Sequence, residues 1–309
     1  MPDKPAQRHF GWFLPKNGAK VDLARAKQEF TQENWEEFQR IVGITSELRP
    51  FVIDYLALQN EFEALREVGP AIVESVEAAP HMVTYMGVPQ TRAMALAQGA
   101  LSNFLSAASA LKDRGAARLR ERYGEDSLEV AKFTAAQRDA YDASFAYRLF
   151  HNLRNFAQHH DLPISTIPVD AKRDEAGQVK ASLKLILRPQ ELLGSSRIQK
   201  TFRDKELVHH TADIDLVPLA KETFDFHGAI MKAILDMHAD RLIEMQHYAR
   251  AVFTKAGMPK GAIPVIWEGA TQPAKHHHFS FDELALLVEL YKEFSSTRIA
   301  LGPQPNSRP

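Results

Sequence analysis

Hydrophobic side chains recur three and four positions apart through most of this chain, the spacing that lays them on one stripe of a helix. The sharpest case is Phe145, Leu149, Leu153 and Phe156, at i, i+4, i+8 and i+11. Asp161-Leu162-Pro163 then ends that helix, because proline disfavours helical backbone in the residue before it. Upstream, Phe30, Trp35, Phe38, Ile41 and Val42 predict a helix from Asp22 with Gly43 as its stop. Phe51, Tyr55, Leu58, Phe62 and Leu65 predict a second from Pro50 to Val68, broken by Gly69-Pro70 ahead of a short helix over Ala71 to Ala78. Met94, Leu96, Leu101, Phe104, Leu105 and Leu111 mark a third between Thr91 and Tyr123, and Thr134 is placed to cap a helix leading through Tyr141 into the Phe145 stripe. Pro218 to Phe253 reads as one long helix, and Ser280 with Glu283 forms a capping box for the last.

Period-two patterning is confined to short stretches. Leu183, Leu185 and Leu187 alternate with Lys184, and Ile164 to Asp170 is also extended, so the two predict a hairpin turning between Lys172 and Gln178 and covering one end of the Tyr147–Pro163 segment. Residues 9–14 form an extended aromatic arm, and Ala262 to Trp267 a short strand. The expected fold is mainly α: a helical bundle with a small β-hairpin and additional C-terminal helices. In chain order it comprises an N-terminal helical segment over 1–88, a helical core over 89–163 and an α+β segment over 164–309.

Composition narrows the chemistry. Of 309 residues, 45% are hydrophobic and 25% charged, which suits a folded globular chain. A net charge of -1 supplies no global attraction to nucleic acid, so any such affinity must come from a local surface. The chain has no cysteine, hence neither disulfides nor thiolate metal sites. No run reaches the ~20 apolar residues of a membrane span, and the start carries no secretory signal pattern, so a cytoplasmic location is expected. Walker loops, dinucleotide fingerprints and nucleophile elbows are missing, which removes the common nucleotide hydrolases and oxidoreductases. Lys112, Arg114, Arg118, Arg120 and Arg122 form a basic run, but Asp113, Glu121, Glu125 and Asp126 interleave it, and a solvated, balanced face is the expected reading. Glu244-x-x-His247 has the spacing of a carboxylate-bridged metal site but no second copy, and three consecutive histidines at 276–278 point in different directions. No metal or cofactor is expected.

The polar chemistry gathers in Tyr147 to Pro163, read Y-R-L-F-H-N-L-R-N-F-A-Q-H-H-D-L-P. At 100° per residue Asn155 and His159 lie about 40° apart, with His151 continuing their row, whereas Arg154 lies about 140° from His159. Two copies of the helix facing across a two-fold axis would bring arginine and histidine to one phosphate. Arg154-Asn155-Phe156-Ala157-Gln158-His159 resembles the Arg-polar-x3-His form of the HEPN domain motif, carried by small all-helical bundles of prokaryotic toxins and defence proteins. The resemblance implies a metal-independent endoribonuclease with its site at a homodimer interface. Carried over by residue, Arg154 would hold phosphate, His159 would transfer protons and Asn155 would orient them, with His151, Gln158, His160 and Arg148 as substrate-binding neighbours. The chemistry is consistent. Cleavage through the adjacent 2′-OH needs only a base and a cation for the developing phosphorane charge. The implied partners are an RNA substrate, a second copy of the chain and a neutralising or regulatory protein. Two other readings stand beside it: a non-catalytic module of the same fold that binds a nucleotide or a protein, and a structural homodimer held across Asn155 and His159.

Overall fold

A computed structural model of the protein describes residues 8–15, 21–78, 88–159, 162–268, 275–278 and 280–296. The fold is mainly α with a few small antiparallel sheets. In chain order its elements are β1 (Arg8–Pro15), β2 (Val21–Glu29), α1 (Gln32–Ala78), α2 (Val88–Tyr123), α3 (Leu128–Ala143), α4 (Phe145–His159), β3 (Val169–Arg173), β4 (Val179–Leu183), β5 (Ile186–Leu187), α5 (Pro189–Leu193), α6 (Lys200–Lys205), β6 (Ile214–Asp215), α7 (Leu216–Leu235), α8 (Ala239–Lys255), β7 (Ile263–Glu268), β8 (Lys275–His278) and α9 (Phe281–Ser296). No helix among the described residues is long and apolar enough to cross a membrane.

The described residues fall into two compact units, residues 8–52 with 234–296 and residues 53–233. In the first, a four-stranded antiparallel sheet in the order β2-β1-β7-β8 carries the aromatic arm as an inner strand. Phe10 on β1 is fully buried, with its ring edge-on to Phe30 at 4.7 Å and Phe253 at 5.3 Å. Gly11 is required there. A Cβ would stand 3.0 Å from the Ala24 carbonyl oxygen and 3.1 Å from Val265 Cγ2. Helix α9 is capped as expected, Glu283 N–H donating to Ser280 Oγ at 3.1 Å.

The second unit holds the helical bundle. Phe104 on α2 meets Phe150 on α4 edge-on at 5.6 Å, and Phe62 on α1 stacks on Phe224 of α7 at 4.8 Å. Leu101, Phe104, Leu111, Phe133, Leu149 and Leu153 are buried around them. The hairpin is present as β3 and β4, paired from Val169↔Leu183 to Arg173↔Val179. It lies against the end of α1, where Ala181 N–H donates to Glu77 Oε1 at 2.8 Å.

Four helix limits differ from the expectation. Residues 22–29 form strand β2, because pairing with β1 outweighs a weak helical periodicity. Helix α1 runs 47 residues without a break through Gly43, Pro50, Gly69 and Pro70. A single proline removes one helical hydrogen bond, and the buried stripe of Ile41, Leu48, Leu58 and Leu65 holds the helix across it. Residues 218–253 divide between α7 and α8. Ser127, not Thr134, caps α3, accepting from Val130 N–H at 3.3 Å, and Ser144 then separates α3 from α4.

Candidate functional site

Helix α4 is fixed at its start and along its inner face. Ser144 Oγ accepts from Tyr147 N–H at 3.0 Å and donates to Glu222 Oε1 at 2.5 Å. Arg148 Nε donates to Glu206 Oε2 at 2.8 Å, and its Nη1 to the Tyr141 and Asp142 carbonyls. Asn152 is fully buried, giving a hydrogen bond to the Arg148 carbonyl at 2.8 Å and taking one from Gln199 N–H at 2.8 Å. These contacts set the rotation of the helix and leave a different face toward α2 and α7.

That face lines a cavity of about 70 Å³. Helix α4 contributes Tyr147, Phe150, His151, Arg154 and Asn155; α2 contributes Leu105, Ala108, Ser109, Lys112 and Asp113; α7 contributes Thr223 and His227. Lys112 Nζ donates to His151 Nδ1 at 3.2 Å, so the neutral His151 ring carries its proton on Nε2. His227 Nδ1–H donates to the Thr223 carbonyl at 2.8 Å, leaving Nε2 as a bare acceptor. Ser109 Oγ–H donates to Asp113 Oδ2 at 2.8 Å, and Arg154 Nη2 lies 4.0 Å from that oxygen. Three polar atoms of the lining are buried without a hydrogen bond: Tyr147 Oη, Arg154 Nε and His227 Nε2.

The electrostatics follow from burial next to cations. Burial pushes the Lys112 ammonium below its ordinary pKa; Arg154 adds to the shift and Asp113 opposes it. His151 is lowered to about 4 by burial first, then by Lys112 and Arg154. His227 is also lowered to about 4, by burial and by Lys112, while the Thr223 carbonyl and the nearby Ala108 carbonyl pull the other way. Burial raises the Tyr147 hydroxyl. At neutral pH the cavity therefore holds two cations, two uncharged imidazoles and an un-ionised phenol, with Asp113 at the rim, its side chain 63% exposed.

The structure brings Arg154, Asn155 and His151 to one cavity. His159, the last residue of α4, is exposed and does not line it. Gln158 is exposed, His160 lies outside the described residues, and Arg148 is engaged on another face by Glu206. Within one copy of the chain Arg154 and His159 point apart, as the helical angle requires.

Lys112, Tyr147 and His227 are site residues that the sequence did not single out. Lys112 stood in the basic run, whose other members are spent elsewhere. Arg114 and Arg118 both pair with Asp54, whose side chain is 4% exposed, and Arg120 pairs with Glu125 at 3.0 Å. Only convergence of three helices distinguishes Lys112 from its neighbours. Glu244 and His247 are both exposed on α8, and among the described residues no cluster of three or more His, Asp or Glu side chains is arranged to hold a metal ion. No protein-family model matches the chain, and no curated protein or solved structure does.

Proposed function

We propose that this chain is a HEPN-like helical protein that binds an RNA or ribonucleotide phosphate in the cavity between α2, α4 and α7. One observation carries the reading: Lys112 and Arg154 line one small cavity, and among the described residues Lys112 has no carboxylate partner. Asp113 offsets only part of the cost of burying the Lys112 charge, because its carboxylate is largely solvated. Phosphate oxygens would accept from Lys112 Nζ and from the unpartnered Arg154 Nε–H, offsetting that cost where water cannot. Arg154→Ala is expected to weaken binding of a short RNA at least tenfold and to flatten its salt dependence, measured by fluorescence anisotropy. A parent protein that binds neither RNA nor ribonucleotides would overturn the reading.

A second reading, a metal-independent endoribonuclease of the toxin or host-defence kind, is favoured by the position of His159. Its imidazole is exposed one turn beyond Asn155 and available to a second copy of the chain. There His159 would take the 2′-OH proton as that oxygen attacks phosphorus, Arg154 of the other copy would hold the phosphorane oxygens, and the P–O5′ bond would break with the 5′-oxygen taking a proton from water. Such an enzyme works in the cytoplasm under restraint by a neutralising or regulatory partner. His159→Ala is expected to retain RNA binding and lose cleavage in the presence of a chelator. Unchanged cleavage by that variant removes His159 from the reaction.

A further inference from the structure

We infer that the cavity takes a terminal phosphate monoester, the end group of a ribonucleoside monophosphate or of a phosphorylated RNA end, in preference to a phosphodiester within a strand. The inference rests on the phosphate-binding reading above and narrows its ligand. Three observations support it, from shape, charge and the placement of donors.

The apolar part of the lining is buried. Leu105, Ala108, Phe150 and His227 are buried there, whereas the partly exposed groups, Asp113 and Arg154, stand at the rim. A phosphodiester extends chain from both sides of phosphorus and needs a groove with two exits. A monoester has one substituent and can enter a blind pocket end-on. A volume of about 70 Å³ is several times the minimum for a water, enough for a small group and too little for a nucleoside. The sugar and base would remain outside.

Charge points the same way. Two cations line the cavity, and the carboxylate beside them, Asp113, is largely solvated at the rim, where its field is screened. A monoester carries about -1.5 to -2 charge at pH 7 and three terminal oxygens, against one charge and two such oxygens for a diester. Three lining residues carry donors suited to a third oxygen. Lys112 comes from α2, while Arg154 Nε–H and Tyr147 Oη–H come from α4 two turns apart, and the last two have no partner within the protein. Tyr147 is 3% exposed, so its hydroxyl is a buried donor that solvent does not satisfy.

The test compares RNA oligonucleotides of one sequence bearing a 5′-phosphate, a 3′-phosphate or hydroxyls at both ends, alongside AMP and adenosine. Binding to the full chain is followed by calorimetry. Phosphorylated ends and AMP are expected to bind at least tenfold more tightly than their hydroxyl counterparts. The ratio of AMP to oligonucleotide affinity distinguishes the free nucleotide from the RNA end. The preference should vanish in Lys112→Met and fall severalfold in Tyr147→Phe, which removes one hydroxyl and keeps the ring should the lysine variant fail to fold. Equal affinity for phosphorylated and hydroxyl ends, with Arg154→Ala still weakening both, overturns the end-group inference and leaves the phosphate-binding reading intact. A preference that survives in Tyr147→Phe and Lys112→Met places the monoester elsewhere and overturns it too. No binding of any phosphate compound overturns both.

Discussion

His227 and His151 link the cavity to the pH dependence of folding. Both are lowered to about 4 from the ordinary value of 6.5, principally by burial. As pH falls below about 6.5 the unfolded chain takes up protons that the folded chain refuses, so stability falls through this window down to about pH 4. The full contribution is present above pH 6.5. For the buried His227 it is on the order of 3 kcal/mol, and for the more exposed His151 it is smaller. His227→Leu is therefore expected to lose less stability than the parent between pH 7 and pH 4.5 in urea titrations, whatever its stability at pH 7. An identical loss in both proteins would show that His227 does not titrate with unfolding. Lys112 carries the opposite kind of cost, a buried ammonium whose charge the largely solvated Asp113 offsets only in part. Lys112→Met should raise unliganded stability by about 1 kcal/mol or more, measured by denaturant unfolding at pH 7. A destabilised variant would mean that the ammonium is already satisfied by His151.

At the scale of the element, α4 shows why a motif helix can be read from sequence while its contacts cannot. The stripe of Leu149, Leu153 and Phe156 is a periodic signal and is buried as that signal requires. Asn152 breaks the apolar pattern and is nevertheless fully buried, because Gln199, 47 positions later, supplies a backbone N–H to its side chain. Periodicity cannot foresee a partner that distant. Asn152→Ala leaves that N–H without its acceptor in the interior and is expected to cost about 1–3 kcal/mol, read as a shifted urea midpoint. A shift within error would mean that the Gln199 amide finds another acceptor. The basic run on α2 was more legible. Interleaved acids signalled a balanced surface, and Asp54 adds a buried carboxylate that pairs with Arg114 and Arg118. Asp54→Ala removes the buried carboxylate that Arg114 and Arg118 share, an expected loss of about 2 kcal/mol after allowance for their solvation, read as a lowered urea midpoint. In α1 the local signals misled, since Gly43 and Gly69-Pro70 were read as stops although the apolar stripe continues across them. Burial summed over many turns exceeds the cost of one missing hydrogen bond.

At the scale of the whole molecule, the mainly helical fold class was legible because so much of the chain repeats at helical spacing. The sheet joining β1 to β7 was not, since it pairs Arg8 with Glu268 across 260 positions. The cavity is non-local in the same way, assembled from residues between 105 and 227. The angle between Arg154 and His159 was legible, and it makes a second copy of the chain necessary for cleavage by that pair. Subunit mixing tests this requirement. If each cleft takes Arg154 from one copy and His159 from the other, Arg154→Ala and His159→Ala homodimers are both inactive. A mixed dimer then contains one cleft with neither group and one with both. Random exchange makes half of the dimers mixed, each with one working cleft of two, so mixing equal amounts should restore about a quarter of parental RNA cleavage. An arginine and histidine that act within one copy would give no recovery, since each mutant copy lacks one of them. A single-chain fusion of the two variants should reach about half of the activity of a fused parental pair, independent of protein concentration. A fusion that stays inactive while a fused parental pair cuts RNA would exclude the composite cleft without bearing on the proposed phosphate binding by Lys112 and Arg154.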